Sequence, residues 1–325
     1  MCSHLQCSIL LSVVFLLFYI TAFTANSLLI LAVSFNHHLH NSMYFFLICL
    51  SLINLCSPSI TIPKMLESSL SGKNTITLGG CTAQIFFYLF LGESECILLA
   101  FMAYDRFIAI CKPLRYLMII NRAACIRMIS ATWTVSGFMT ALGLFFGRNI
   151  TYCSPNVINH FLCEIPSLML LSCEKTAGLY ALTMITTFML LLIPLTLILF
   201  SYFRIIISVT KIQSGRYKAF STCSSHLIVV TLFYGTAMLL YMRPRGSTAD
   251  NLDKIVSVFY TVITPMVNPL IYSLRNKDVL RAMRRLPSLL LSCFLPTQSL
   301  LYSLWPPASP SFCSHLFHLP RFLRL

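Results

Sequence analysis

Seven long apolar segments, separated by short polar connectors, dominate this 325-residue sequence. A helix needs about 20 mainly apolar residues to cross the roughly 30 Å of hydrocarbon in a bilayer, and each segment reaches that length. Only 10% of the residues are charged, compared with about 25% in a typical soluble domain. The sequence therefore predicts an all-α membrane protein, a bundle of seven transmembrane helices at residues 9–33, 43–66, 83–110, 125–146, 179–208, 220–242 and 255–274.

The distribution of Lys and Arg predicts the orientation of this bundle. Connectors on the cytoplasmic side carry an excess of basic residues. Thirteen Lys and Arg lie near the connectors of one side, which includes the segment after the seventh helix, and seven lie on the other side. We therefore expect an outer N-terminus and a cytoplasmic C-terminus. The net charge of +14 is explained by topology, because the basic residues do not form the contiguous face of a nucleic-acid binder.

The connectors on the predicted outer side contain possible sites of covalent modification. Cys81, Cys153, Cys163 and Cys173 lie at or within these loops, where disulfides persist, and four cysteines allow three pairings. Asn149 begins an Asn-Ile-Thr sequence in the same long loop, which is the acceptor pattern for N-linked glycosylation. The first predicted helix begins near the start of the sequence, so we expect only a very short outer segment before it.

Residues 276–286 have the pattern of a short amphipathic helix on the cytoplasmic surface. Val279, Leu280, Met283 and Leu286 fall on one helical face and basic residues fall mostly on the other, an arrangement that suits a membrane with anionic lipid. Residues 1–286 are thus predicted to form one membrane domain. Residues 287–325 are apolar but contain several prolines, and we predict that this cytoplasmic tail is disordered.

Several motifs occur in a recognisable order along these helices. They are HNSMYFFL at residues 40–47, PKML at 63–66, MAYDRFIAIC at 102–111, KAFSTCSSHL at 218–227, FYGT at 233–236 and PMVNPLIYSLRN at 265–276. Through them the chain resembles odorant receptors of the rhodopsin-like, G-protein-coupled class over residues 26–286. The resemblance implies a plasma-membrane receptor, not an enzyme, that binds a small, mostly apolar odorant and activates a stimulatory heterotrimeric G protein. It implies no cofactor and no metal.

The resemblance also assigns roles to polar residues inside the predicted helices, where such residues are costly and are candidates for function. Asp105 is expected to hold Arg106 at rest and release it on activation, while Tyr202 and Tyr272 swing toward Arg106. Asn268 and Pro269 are expected to allow a bend in the seventh helix. The resemblance implies a polar core formed by Asn26, Asn54 and Glu95.

A ligand pocket is expected in the outer half of the bundle, where apolar walls surround a few polar groups. By resemblance its candidate residues are Tyr88, Leu89, Gly92, Glu93, Thr183, Thr186, Thr187, Leu190, Tyr234, Met238, Tyr241 and Thr261. Each of them could equally serve packing between helices. The family pattern further implies the disulfides Cys81–Cys163 and Cys153–Cys173.

Some features depart from the family or leave alternatives open. Ser42 stands where the family has Pro, and Asn54 stands where it has Asp. Glu93 is an unusual acid that could select an amine-bearing ligand or accept a hydrogen bond from a neighbouring hydroxyl, and we favour the hydrogen bond. A transporter would show an internal repeat with paired broken helices, and an intramembrane enzyme would show a catalytic motif; we find neither pattern.

Overall fold

The computed structural model describes residues 4–148, 150–153, 156–173, 177–210, 216–242 and 249–294. Within these residues, seven helices are long and apolar enough to span a bilayer, which confirms the predicted fold class. In chain order these first to seventh spans are Ile9–Phe35, Ser42–Ser71, Leu78–Cys111, Arg122–Gly147, Ala181–Thr210, Cys223–Tyr241 and Leu252–Ser273. The described residues contain no β-strand beyond one isolated antiparallel bridge, between Tyr152 and Ser172.

Some helices continue beyond the spans that they contain. The helix of the first span is His4–Phe35, that of the fifth is Ala177–Thr210 and that of the sixth is Arg216–Tyr241. Short helical turns occupy the connectors at His37–Leu39, Pro113–Arg115, Tyr116–Ile119 and Ile165–Leu170. A final helix, Lys277–Phe294, follows the seventh span.

The final helix is longer than the sequence pattern predicted. We expected it to end near Leu286, but it continues through Pro287 to Phe294. A proline inside a helix removes one backbone donor, and the apolar run Leu289–Leu291 after it contains good helix formers. The rest of the predicted tail, residues 295–325, lies outside the described residues.

Side-chain caps define where three of the spans begin. Asn41 accepts a hydrogen bond from the Tyr44 backbone N–H at 3.3 Å, and Asn121 accepts one from Ala124 at 2.9 Å. Thr77 does the same for Gly80 at 3.1 Å. Each cap satisfies one of the backbone donors that the first turn of a helix leaves without a partner.

The third span is the central element of the bundle. It packs against the second, fourth, fifth and sixth spans, and its side chains Leu98, Leu99 and Met102 are almost fully buried. The first span packs against the second and seventh. Large apolar side chains elsewhere, such as Phe200 and Phe203 of the fifth span, are exposed and suit a lipid environment. The Cys81 end of the third span is called the disulfide end below, and the opposite end is called the Asp105 end.

The seventh span contains a π-helical turn that the sequence analysis did not predict. An α-helix at Ala249–Val258 passes into the π turn Phe259–Ile263 and then into a second α-helix, Thr264–Arg275. In a regular helix the ring of Pro265 would clash with the carbonyl four residues earlier. The wider turn lies directly before this proline, and it buries Tyr260 and Thr261 toward the bundle.

Asn26 of the first span compensates for a proline in the seventh. Pro269 has no N–H to donate to the carbonyl of Pro265, four residues earlier. The Asn26 side chain donates a hydrogen bond to this carbonyl at 2.9 Å and another to Ala22 of its own helix at 2.8 Å. Asn26 is completely buried, so its amide satisfies a backbone group that water cannot reach.

We predict that Asn26→Ala destabilises the bundle by about 1–3 kcal/mol, because it leaves a buried carbonyl without a donor. The thermal midpoint of the purified protein in detergent would measure this. Asn36→Ala is the matched control, since the Asn36 side chain donates to the Ala32 carbonyl, at 2.7 Å, in the helix that ends just before it and not to another span. Equal losses in the two variants would contradict the compensating role.

Candidate functional site

A loop covers the disulfide end of the bundle and is attached to the third span in two ways. Cys163 forms a disulfide with Cys81, with 5.5 Å between the Cα atoms. Gln84, one helical turn after Cys81, accepts a hydrogen bond from the Cys163 N–H at 2.9 Å and donates one to the Ile60 carbonyl at 3.3 Å. The loop, the second span and the third span are thereby joined at one side chain.

A second disulfide, Cys153–Cys173, closes the loop on itself. The N–H of Cys153 donates to the Leu171 carbonyl and that of Cys173 donates to the Thr151 carbonyl, both at 2.9 Å. Both disulfides are thus the pairs that the family resemblance implies. Asn149, the predicted glycosylation site, lies outside the described residues.

A cavity of about 60 Å³ lies beneath this loop, between the third, fourth, fifth and sixth spans. About 10–15 Å³ on this measure holds one water molecule, so the cavity has the size for a small molecule and not for a peptide. Seven of the predicted pocket residues line it, namely Tyr88, Leu89, Glu93, Thr183, Thr186, Thr187 and Tyr241.

The other predicted pocket residues do not line the cavity. Gly92 faces the hydroxyl of Tyr260, and a Cβ atom at this position would collide with it. Tyr234 donates a hydrogen bond to the Cys96 carbonyl at 3.3 Å, and Thr261 donates to Ser257 of its own helix at 2.7 Å. Leu190 and Met238 are half-buried at other positions. Through these contacts, Gly92 joins the third span to the seventh, and Tyr234 joins the sixth span to the third.

Two polar residues of the cavity wall were missed by the sequence analysis. Thr140 lies on the fourth span, for which no pocket residue was predicted, and Glu164 directly follows Cys163 in the loop. The Cys81–Cys163 pairing was a signal for Glu164, because it brings the next residue close to the third span. Thr140 offered no comparable signal, since a hydroxyl on a span usually serves packing.

The two acidic residues of the cavity have different neighbours. Glu93 accepts a hydrogen bond from the Thr140 hydroxyl at 3.1 Å, which is the kind of partner that the sequence analysis favoured. The Glu164 carboxylate lies 3.6 Å from Nε2 of His160, and both side chains are buried. His160 is therefore close enough to compensate the negative charge of Glu164 when the His160 imidazole is protonated.

At the Asp105 end, the carboxylate of Asp105 is held by two hydroxyl groups. Ser42 donates a hydrogen bond to it at 2.7 Å and Tyr116 donates one at 2.9 Å, and the two hydroxyls also contact each other. Burial is the largest cause that raises the pKa of Tyr116, and the negative charge of the Asp105 carboxylate raises it further. The Tyr116 hydroxyl therefore remains a proton donor. Ser42, which stands where the family has proline, is thus a hydrogen-bond donor to this carboxylate.

The expected pairing of Asp105 with Arg106 does not occur among the described ion pairs. Adjacent residues of a helix point in different directions, so the two side chains do not face each other. Arg106 donates to the Met102 carbonyl of its own helix at 3.1 Å, and its Nε has no hydrogen-bond partner among the described residues.

The two tyrosines that were expected to approach Arg106 have other surroundings in this conformation. The Tyr202 hydroxyl lies 2.8 Å from Nδ1 of His226, which links the fifth and sixth spans. The Tyr272 hydroxyl is buried without a hydrogen-bond partner among the described residues. Neither hydroxyl is hydrogen-bonded to Arg106.

The predicted polar residues of the second, third and seventh spans meet in the centre of the bundle. The Asn268 amide nitrogen lies 3.4 Å from the side-chain oxygens of both Asn54 and Glu95. In the described part of the chain, no group of three or more His, Cys, Asp or Glu side chains is placed to bind a metal ion.

Comparison with known proteins agrees with this architecture. The family model described as "Olfactory receptor" matches residues 15–289. The chain belongs to the olfactory receptor family. It is 44% identical to human olfactory receptor 13C9 over 293 residues, which cover 88% of the chain and 92% of that receptor. It is 46% identical to human olfactory receptor 2M4 over 266 residues, which cover 81% and 86% of the two proteins.

Family membership decides between the classes of function left open by the sequence. The receptor is a multi-pass plasma-membrane protein of the G-protein-coupled class that responds to odorants, and it is not an enzyme. The described geometry separates a cavity at the disulfide end from a charged cluster at the Asp105 end. The third span carries residues of both.

We predict that Ser42 and Tyr116 stabilise the receptor as one unit with Asp105. Removal of either donor, in Ser42→Ala or Tyr116→Phe, should cost about 1.5–3 kcal/mol, the range for a hydrogen bond to a charged group. The double variant should cost less than the sum of the two changes, because contacting residues couple. Thermal midpoints of the four proteins would complete this cycle.

Ser130→Ala is the matched control for the serine substitution, since Ser130 is an exposed serine of the fourth span and should have little effect. Fully additive losses for Ser42→Ala and Tyr116→Phe would show that the two hydroxyls act independently of each other.

Proposed function

We propose that the receptor binds a small, mostly apolar odorant in the cavity beneath the loop and activates a stimulatory heterotrimeric G protein at the Asp105 end. The observation that carries this proposal is the third span, which supplies Tyr88, Leu89 and Glu93 to the cavity and Asp105 and Arg106 to the opposite end. One rigid helix can transmit a change at either end to the other.

The wall of the cavity supports an odorant of this kind. Leucine, isoleucine and methionine side chains provide apolar surface, and threonine and tyrosine hydroxyls provide a few hydrogen-bonding groups. Such a combination is typical of sites for small organic ligands, in which few polar groups set the orientation. We propose Tyr88, Leu89, Glu93, Thr183, Thr186, Thr187 and Tyr241 as the contacts.

The chemistry of the two ends supports an outer disulfide end and a cytoplasmic Asp105 end. Disulfides persist in an oxidising compartment, and the excess of Lys and Arg lies on the side of Asp105. In the final helix, Val279 and Leu286 are buried, whereas Lys277, Arg281 and Arg284 are exposed. We propose that this basic face contacts anionic lipid of the inner leaflet.

The proposed mechanism of activation uses Arg106. Its guanidinium is buried at the Asp105 end, and its Nε has no hydrogen-bond partner among the described residues. Leaving a buried charged group without a full set of partners is costly. A rearrangement that brings Tyr202 and Tyr272 to Arg106, or that exposes Arg106 to a G protein, would supply these partners. Agonist binding would shift the receptor toward this state to the extent that the agonist binds it more tightly than the resting state.

We predict that Arg106→Ala abolishes the cyclic AMP response of cells to an agonist found in a panel of small odorants, while the amount of receptor at the cell surface stays similar. Arg127→Ala is the matched control, because Arg127 is an exposed arginine that donates to the Ala123 carbonyl of its own helix. An undiminished response in Arg106→Ala would contradict the mechanism, and an agonist response that never involves cyclic AMP would contradict stimulatory coupling.

We predict that filling the cavity blocks the odorant. Gly143 lines the cavity, and a Cβ atom there has no neighbour within 4 Å, so Gly143→Leu places its side chain in free space. It should raise the agonist concentration for half-maximal cyclic AMP by about tenfold or more, equivalent to about 1.4 kcal/mol. Gly147→Leu is the control, because Gly147 lies one turn away with equally open space and does not line the cavity. Equal effects of the two changes would argue against this cavity as the binding site.

A further inference from the structure

The cavity wall is acidic, and its charge restricts the chemical class of the ligand further than the volume of the cavity does. Among the described residues that line the cavity are two carboxylates, Glu93 and Glu164, and no Lys, Arg or His. The remaining wall is apolar, hydroxylated or sulfur-containing. Such a wall can compensate a cation but has no fixed charge with which to bind an anion.

Glu93 occupies the deep part of this cavity. It lies twelve residues after Cys81 on the third span, roughly 18 Å along the axis at 1.5 Å per residue. Thr140 donates to Oε2 at 3.1 Å, and none of the described residues donates a hydrogen bond to Oε1. Because Glu93 lines the cavity, this oxygen is available to a bound molecule.

Glu164 differs from Glu93 because it has a basic neighbour. His160 lies 3.6 Å from Glu164 and can compensate its charge within the loop. No basic side chain in the described part of the chain forms an ion pair with Glu93. Tyr241 lines the same cavity as the two carboxylates. The uncompensated acid of the cavity is therefore Glu93.

We propose that the receptor recognises a small aliphatic amine whose ammonium group binds Glu93 in the depth of the cavity. This inference rests on the proposed function, since it names the chemical class of ligand for the same cavity. An alkylammonium group resembles that of lysine, with a pKa of about 10.4, and is charged at neutral pH. A carboxylate at membrane depth is costly alone and much less costly beside a cation. Leu89, Leu142 and Leu182 provide the apolar surface for the hydrocarbon part.

The test compares three six-carbon ligands that differ only in their head group. Hexylamine, hexan-1-ol and hexanoic acid are added to the purified full-length receptor, and the rise in thermal midpoint with concentration gives each apparent affinity. We expect hexylamine to bind most tightly. Glu93→Gln should weaken hexylamine binding about tenfold or more and leave hexan-1-ol binding within about twofold of the natural receptor.

Matched variants separate charge from shape. Glu93→Gln keeps the side-chain shape and an oxygen acceptor for Thr140, whereas Thr140→Val removes the hydrogen bond, keeps the carboxylate and should retain hexylamine binding. Glu67→Gln is the control for removal of an acid, because Glu67 is exposed and pairs with Lys64 at 2.9 Å. If Glu93→Gln does not purify as a folded protein, Glu93→Asp keeps the charge and should keep the preference for hexylamine over hexan-1-ol.

Two results would overturn the inference: equal hexylamine binding by the natural receptor and Glu93→Gln, or tighter binding of hexan-1-ol or hexanoic acid than of hexylamine. Thermal stabilisation requires no G protein, so a failure of stimulatory coupling would not affect this measurement. Conversely, a cyclic AMP response to hexan-1-ol without hexylamine binding would overturn the amine assignment and leave the proposed function intact.

Discussion

The need to satisfy backbone hydrogen bonds without water is the constraint on which this bundle depends. A proline in a span leaves a carbonyl that has no donor, and lipid supplies none. In the seventh span, the donor for Pro265 comes from Asn26 of another helix. The positions of the first and seventh spans are thereby coupled by one amide group. The adjacent π turn at Phe259–Ile263 lies directly before Pro265, so the π turn and the Asn26 hydrogen bond accommodate the two prolines of this span together.

The third span connects the chemistry of the two ends because it contacts most of the bundle. Near the cavity, Tyr234 of the sixth span donates to its Cys96 carbonyl. At the other end, Cys111 lies within 3.1 Å of the Ser208 hydroxyl of the fifth span. A displacement of the third span therefore changes contacts with both neighbours at once. Packed interfaces of this kind switch between discrete arrangements and do not deform smoothly, as a receptor with two states requires.

Much of the fold could be predicted from the sequence, because membrane thickness imposes a length and an apolar character on each span. The positions of Tyr88, Glu93 and Thr187 in the cavity could be predicted as well, through the resemblance to the family. The contacts that side chains make with other helices could not be predicted. Gly92 faces Tyr260 and not the cavity, since its lack of a side chain permits close packing. The Asp105 carboxylate takes Ser42 and Tyr116 as donors, because its sequence neighbour Arg106 points elsewhere on the helix. These contacts depend on how the helices are rotated, which hydropathy does not encode.

The double hydrogen bond of Gln84 has a consequence for how the receptor acquires its covalent structure. Gln84 and Cys81 are one turn apart on the same helix, and the amide of Gln84 binds the backbone of Cys163 directly. This contact requires no oxidation, so it can form before the disulfide and would then place the Cys163 thiol beside that of Cys81. Three pairings are open to four cysteines, and a noncovalent template at the start of the third span favours one of them. Of the four, Cys153 and Cys173 are then left to pair with each other.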